Sequence, residues 1–439
     1  MLVEIMAWNI REMVDERKCH TYPMFAPFSV EKGKPRNGTK RRGSVSLNRI
    51  VLSVAEVQRQ RTESLTKFQI PLVSSFVLLS IVATILNPVT AAKQCDFPAI
   101  FSFGASNADT GGLAASFYPY SPKKPYGETY FNRSTGRYSD GRIILDFIAE
   151  SFGIPFLSAY LDSLGTNFSH GANFAVGGST IKTAGGSSPF SLGIQYSHFE
   201  RLKNTSQFIS SKGGVFATLM PKQEYFSEAL YTFDMGQNDL TAGFMSNKTL
   251  QQVNASIPDI VQSFTSTIKN ISNFGAKSFW IHNIGPLGCL SSILTNFRSA
   301  EKDNNGCAKA YNEVVQFFNQ NLKEALAKLR KDIPLAAITY VDIYSAKYSL
   351  FSNPKKYGFE LPHVACCGYG GEYNFNSSIG CGRTIKVNDT DKFVGSCERP
   401  SARVLWDGIH YTEAANKVVF DQISSGNFTD PPITLQMAC

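Results

Sequence analysis

Four short apolar runs punctuate the chain after residue 92, and each stops at a glycine, asparagine or aspartate. They are Ala99–Phe103, Ala229–Phe233, Ser278–His282 and Ala336–Val341. Helical patterns lie between them. Asp146–Glu150 lies within one, Ile257–Ile271 is a second, and Ala308–Arg330 is the longest, with Val314, Phe317, Phe318 and Leu322 at helical spacing. Strands that are apolar on both faces and alternate with helices imply an α/β fold, with a parallel sheet covered on both sides. Ligands in such folds sit beyond the carboxyl ends of the strands. Chemistry is therefore expected in the residues just after each apolar run.

Those residues carry a consistent set. Gly104-Ala105-Ser106-Asn107 follows the first run, and Asp234-Met235-Gly236-Gln237-Asn238-Asp239 follows the second. Between them Gly171–Ser179 is a strand-like run ending in the pair Gly177-Gly178. Near the C-terminus Trp406-Asp407-Gly408-Ile409-His410 precedes a helical pattern at Thr412–Ile423. Acyl transfer needs a hydroxyl, a base, a carboxylate that orients the base, and donors for the oxyanion. Ser106 supplies the hydroxyl. His410 is the candidate base, because an imidazole titrates near neutrality, and Asp407 stands three residues before it. The Ser106 N–H, the Gly178 N–H and the Asn238 amide are the candidate oxyanion donors. Taken singly each is ordinary: a serine in a turn is usually a turn residue. Their conjunction at strand ends makes the set informative. No G-x-S-x-G elbow is present, and no phosphate-binding glycine loop. His170, His198, His282 and His363 lack metal-ligand spacing and read as structural or exposed.

Charge argues against nucleic acid. The formal net charge is +8, but residues 1–66 hold 12 Lys and Arg against 7 Asp and Glu, so the rest is near neutral. Residues 1–66 read as an N-terminal extension, disordered or added by an over-extended gene model. Residues 67–92 resemble a secretory signal, with Lys67, an uncharged apolar stretch Ile70–Leu86 and small residues at Thr90–Ala92. The rival reading is a membrane anchor, since the stretch is near the lower spanning limit. Eight cysteines follow: Cys95, Cys289, Cys307, Cys366, Cys367, Cys381, Cys397 and Cys439. An even number fits disulfides in an oxidising compartment, with the pairing open. Nine sequons follow as well, at Asn132, Asn167, Asn204, Asn247, Asn254, Asn270, Asn376, Asn388 and Asn427, candidates for a glycosylated surface. The expected location is extracellular, or anchored in the secretory pathway by an uncleaved signal.

The blocks FPAIFSFGASNADTGG, GRYSDGRIILDFIAE, GANFAVGGSTI, YTFDMGQNDL, FWIHNIGPLGCL, YVDIYSAKY, ACCGYGG and WDGIHYTEAAN together resemble the plant secreted branch of the GDSL esterase/lipase family, the SGNH hydrolases. The resemblance covers nearly all of Cys95–Cys439, so residues 93–439 are read as one hydrolase domain. It implies a three-layer α/β/α flavodoxin-like fold with a central parallel sheet. It also implies hydrolysis of a small-molecule or glycan ester through an acyl-enzyme, with no cofactor. By motif, Ser106 corresponds to the nucleophile, Asp407 and His410 to the rest of the triad, and Ser106, Gly178 and Asn238 to the oxyanion hole. One position departs: the family motif reads Gly-Asp-Ser, and here Ala105 replaces the aspartate. That raises two alternatives, a weakened member that mainly binds glycan or ester, and an acyltransferase using the same residues.

Overall fold

In the computed structural model the described residues are 94–118, 121–183, 186–246 and 248–439. The extension at 1–66 and the signal-like segment at 67–92 lie outside them.

Each apolar run forms a strand. β1 is Ile100–Gly104, β3 Leu230–Asp234, β4 Ser278–His282 and β5 Ala337–Val341, with β2 at Gly171–Asn173. These five pair in parallel in the order β2-β1-β3-β4-β5. The sheet is not wholly parallel. An eighth strand, β8 at Thr429–Asp430, adds an antiparallel edge beside β5. An exposed hairpin outside the main sheet, β6 Thr384–Val387 with β7 Thr390–Phe393, was not expected from the sequence.

Helices cover both faces. α1 is Ile144–Ser151, α2 Leu192–Lys212, α3 Gln237–Met245, α4 Leu250–Asn273, α5 Lys309–Asp332, α6 Ile343–Ser352 and α7 Glu413–Ser424. One face is aromatic. Phe101 and Phe103 of β1 meet Phe199 of α2, and Phe233 of β3 meets Phe264 of α4. Each buried ring contributes roughly 1.5–3 kcal/mol through the water it leaves. On the other face α7 packs between α1 and α6. The result is three layers, α/β/α.

Strand order reverses at β1, whose neighbours β2 and β3 lie on its two opposite sides, both parallel to it. Such a switch point opens a crevice at the carboxyl ends of the strands. Ser106 and Asn238 lie in the turns leaving β1 and β3.

The eight cysteines form four disulfides: Cys95–Cys439, Cys289–Cys307, Cys366–Cys397 and Cys367–Cys381. The first ties the two ends of the described chain together.

Candidate active site

β1 ends where its backbone meets β3 closely. A Cβ on Gly104 would lie 2.9 Å from the Asp234 carbonyl oxygen, so glycine is needed there. The buried Gln195 of α2 clamps this residue from the side. Its Oε1 accepts the Gly104 N–H at 3.0 Å, and its Nε2 donates to the Gly104 carbonyl at 2.8 Å. The Ala105 N–H donates to the Asp234 carbonyl at 3.2 Å, and the Ala108 N–H to the Ala105 carbonyl at 3.0 Å. The chain therefore turns tightly, with Ser106 half-buried at the tip. Ala105 itself is completely buried.

Two side chains lock this turn to its neighbours. Asn173, ending β2, donates to the Ala108 carbonyl at 2.6 Å. The carboxylate of Asp109 accepts backbone N–H groups from Gly111, Gly112 and Leu113, and from Gly177 across the crevice at 2.7 Å. Burial pushes the Asp109 carboxyl up, and those four donors offset part of the rise. The paired glycines are held by a residue of the first turn, and the run Gly171–Ser179 stays bonded to β1 beyond Asn173, with the Phe174 N–H donating to the Ser102 carbonyl at 2.8 Å and the Val176 N–H to the Gly104 carbonyl at 3.3 Å.

The C-terminal block arrives from the opposite side. Leu405 and Trp406 accept N–H groups from Cys366 and Cys367 at 3.0 and 2.7 Å, and the Trp406 N–H closes a loop onto the His410 carbonyl at 2.7 Å. Asp407 and His410 occupy that loop. The Asp407 Oδ2 lies 2.7 Å from His410 Nδ1, and His410 Nε2 lies 2.7 Å from Ser106 Oγ. An ionised carboxylate only accepts, so Nδ1 carries the proton and Nε2 is left to accept the Ser106 hydroxyl. Tyr126 donates its hydroxyl to Asp407 Oδ2 at 2.8 Å, and the Ile409 and His410 N–H groups donate to Oδ1 at 3.0 and 2.8 Å. Burial pushes the Asp407 carboxyl up, but its pairing with the His410 ring and the His410 and Ile409 N–H groups outweigh that and hold it below the usual range. Tyr138 packs against the imidazole with ring centroids 4.9 Å apart.

The third part of the site is the start of α3. Asn238 Nδ2 donates to the Ser179 carbonyl at 2.8 Å, leaving its second N–H unspent. Its neighbour Asp239 accepts the N–H groups of Ile181 and Lys182, so α3 holds the whole glycine loop. Gly178 has φ +77, in the left-handed region that suits glycine. The Gly177 N–H is taken by Asp109. The Ser106 and Gly178 N–H groups have no acceptor among the described residues.

Ser106, Asn238, Asp407 and His410 line a cleft of about 580 Å³, within the usual ligand-pocket range of roughly 300–1,000 Å³. Gly178 is not among its lining residues. Of the sequons, Asn132, Asn167, Asn204, Asn270, Asn376, Asn388 and Asn427 are exposed, while Asn254 is half-buried. Asn376 lines the cleft, and Asn247 lies outside the described residues.

Sequence reading missed Tyr126, Asp109 and Gln195. Tyr126 is 281 positions from its partner, and no local pattern marks it. Asp109 carried a signal, since an aspartate just before paired glycines at a helix start is the usual acceptor for their N–H groups.

A profile of the GDSL-like lipase/acylhydrolase family matches residues 100–423. GDSL esterase/lipase ENOD8 of Medicago truncatula is 64% identical over 84% of this chain and 96% of its own length. An esterase of Hevea brasiliensis is 60% identical over 83% of this chain and 94% of its own. Alpha-L-fucosidase 3 of Arabidopsis thaliana is 49% identical over 81% and 97%. With that profile spanning most of the chain, and relatives at this identity, the protein belongs to the GDSL-like lipase/acylhydrolase family.

Proposed function

We propose that the protein hydrolyses carboxylic esters through an acyl-enzyme on Ser106. The observation that carries this reading is the relay of two 2.7 Å contacts from Asp407 through His410 to Ser106, at the mouth of a cleft. His410 Nε2 takes the hydroxyl proton as Ser106 Oγ attacks the ester carbonyl. The imidazolium is stabilised by Asp407, which Tyr126 helps to fix. The oxyanion forms beside the Ser106 N–H, the Gly178 N–H and the free Asn238 N–H. Each such donor is worth about 2.7–4 kcal/mol in the transition state. His410 then returns the proton to the departing alcohol, and water repeats the sequence to release the acid.

Ala105 does not weaken the case, because the contacts between Ser106, His410 and Asp407 are made with alanine in place. The relatives named as esterases support hydrolysis over a binding role. The secreted location is part of the proposal. It is supported by the disulfides that pair all eight cysteines after residue 92, a state favoured in oxidising compartments. Among the described residues no helix is long and apolar enough to cross a membrane.

A fluorophosphonate probe tests the reading, together with hydrolysis of p-nitrophenyl acetate. The wild type is expected to be labelled on Ser106 and to turn over. Ser106→Ala is expected to do neither. Equal turnover by the two proteins would sink the proposal.

A further inference from the structure

The floor of the cleft holds charges that the relay does not use. Lys347, one turn into α6, is 2% exposed and lines the cleft. Asp234, the last residue of β3, lines it too and is 8% exposed. Long, weak contacts occupy the Asp234 carboxylate: His282 Nδ1 at 3.4 Å on Oδ2, and Gln237 Nε2 at 3.3 Å on Oδ1. No ion pair joins Lys347 to Asp234, whose basic partner is His282. Nor does Nζ hydrogen-bond to any described residue. It lies over the face of Tyr411, 4.3 Å from the ring centroid.

An ammonium on an otherwise buried stem, facing the cleft with three unspent donors, favours a ligand group that accepts from them. The two charges nevertheless feel each other: burial pushes Lys347 down, and Asp234 opposes that. Lys347 and Asp234 thus offer unspent donors and an undersatisfied acceptor on one cleft floor. A hydroxyl satisfies both at once, since it accepts from the ammonium and donates to the carboxylate. A second carboxylate would repel Asp234, and an alkyl chain would leave both charges bare.

We propose that Lys347 and Asp234 form a hydroxyl-reading subsite, so that the preferred esters carry a free hydroxyl near the reacting carbonyl. This rests on the ester hydrolysis proposed for Ser106 and names the substrate class of that site. The subsite is specificity-determining: it discriminates among esters and takes no part in proton transfer.

Two substrate pairs test it, by kcat/KM in a pH-stat. Glycerol monoacetate against propyl acetate puts the hydroxyl on the alcohol side. Ethyl lactate against ethyl propanoate puts it on the acyl side. The wild type is expected to favour the hydroxylated member of one pair at least tenfold. A site built to bond a hydroxyl rejects the analogue lacking it. Lys347→Met is expected to erase that preference, and so is the charge-neutral double variant Asp234→Asn/Lys347→Met, which removes the carboxylate stranded by the single change. A ratio of rates is insensitive to general loosening of the fold. No preference in the wild type for either pair overturns the inference. A preference that survives in the double variant overturns it as well. If Ser106→Ala still hydrolyses these esters, the proposed mechanism fails instead.

Discussion

Ala105 stands where the family motif carries aspartate, and the structure explains how the turn holds without it. The turn is fixed through its backbone: Gln195 grips both polar groups of Gly104, Asp234 takes the Ala105 N–H, and Asn173 grips the Ala108 carbonyl. Asp109 supplies the carboxylate that joins the serine turn to the glycine loop. Restoring the motif with Ala105→Asp puts a further charge into a fully buried position whose N–H already bonds the Asp234 carbonyl. Burying such a charge without a partner costs several kcal/mol, or the group protonates. The expected outcome is a lower melting temperature and a kcat/KM no more than about threefold above wild type on p-nitrophenyl acetate. A gain of tenfold or more would mean that the alanine had left the oxyanion hole slack. Ser106, His410 and Asp407, which the fold brings into contact, were all legible as a set in the sequence because each sits in a short block at a strand or helix end. Tyr126 and Gln195 were not, because their roles exist only once distant elements meet.

At the scale of elements, the block between Arg137 and Asp146 decides where His410 sits. Arg137 makes a two-pronged contact with Asp146 of α1 at 2.7 and 2.8 Å, both groups being buried. Arg142 reaches Glu413 at 2.8 Å, and Asp140 Oδ1 accepts the Glu413 N–H at 2.7 Å, at the start of α7. α7 begins three residues after His410, so Asp140 anchors the loop that bears His410. Burial pushes the Asp140 carboxyl up to about 6, with the Glu413 N–H opposing. Its folded value lies above the ordinary 3.8, so folding favours the protonated form. This group's stabilising contribution is full below about pH 4 and is lost as pH rises through about 6. Asp140→Asn keeps an oxygen for the Glu413 N–H but does not titrate. The wild type is expected to lose more melting temperature than Asp140→Asn between pH 5 and pH 7.5. Parallel losses in a thermal scan would remove Asp140 as the cause. The main strands and helices were legible because their apolar spacing is unmixed. The hairpin β6–β7 was not: it is largely exposed and reads Thr384-Ile385-Lys386-Val387 and Thr390-Asp391-Lys392-Phe393, with too little apolar pattern to mark strands.

Across the whole molecule, the site is assembled from three distant parts, and covalent bonds hold one of them. Strand order placed Ser106 and Asn238 at the switch point, whereas the alternation of strands and helices foretold only that chemistry lies beyond the carboxyl ends of the strands. What brings Asp407 and His410 over that point is a satellite core of Tyr126, Trp406, Cys366 and Cys367, separate from the main one. Trp406 is fully buried there, and its carbonyl is pinned by the Cys367 N–H. The disulfides Cys366–Cys397 and Cys367–Cys381 close loops of 31 and 14 residues around this small core. A loop near the shorter length is worth about 3 kcal/mol in restricted chain entropy. The main core owes nothing to these two bonds, since its aromatic layer rests on the sheet, α2 and α4. Removing them therefore loosens the Asp407–His410 loop first. Cys367→Ser/Cys381→Ser is expected to lose at least tenfold in the rate of Ser106 labelling by fluorophosphonate, while its far-ultraviolet circular dichroism stays close to wild type. Labelling and helical signal that fall together would place the loss in the global fold. Unchanged labelling would show that packing around Trp406 alone holds the triad in line.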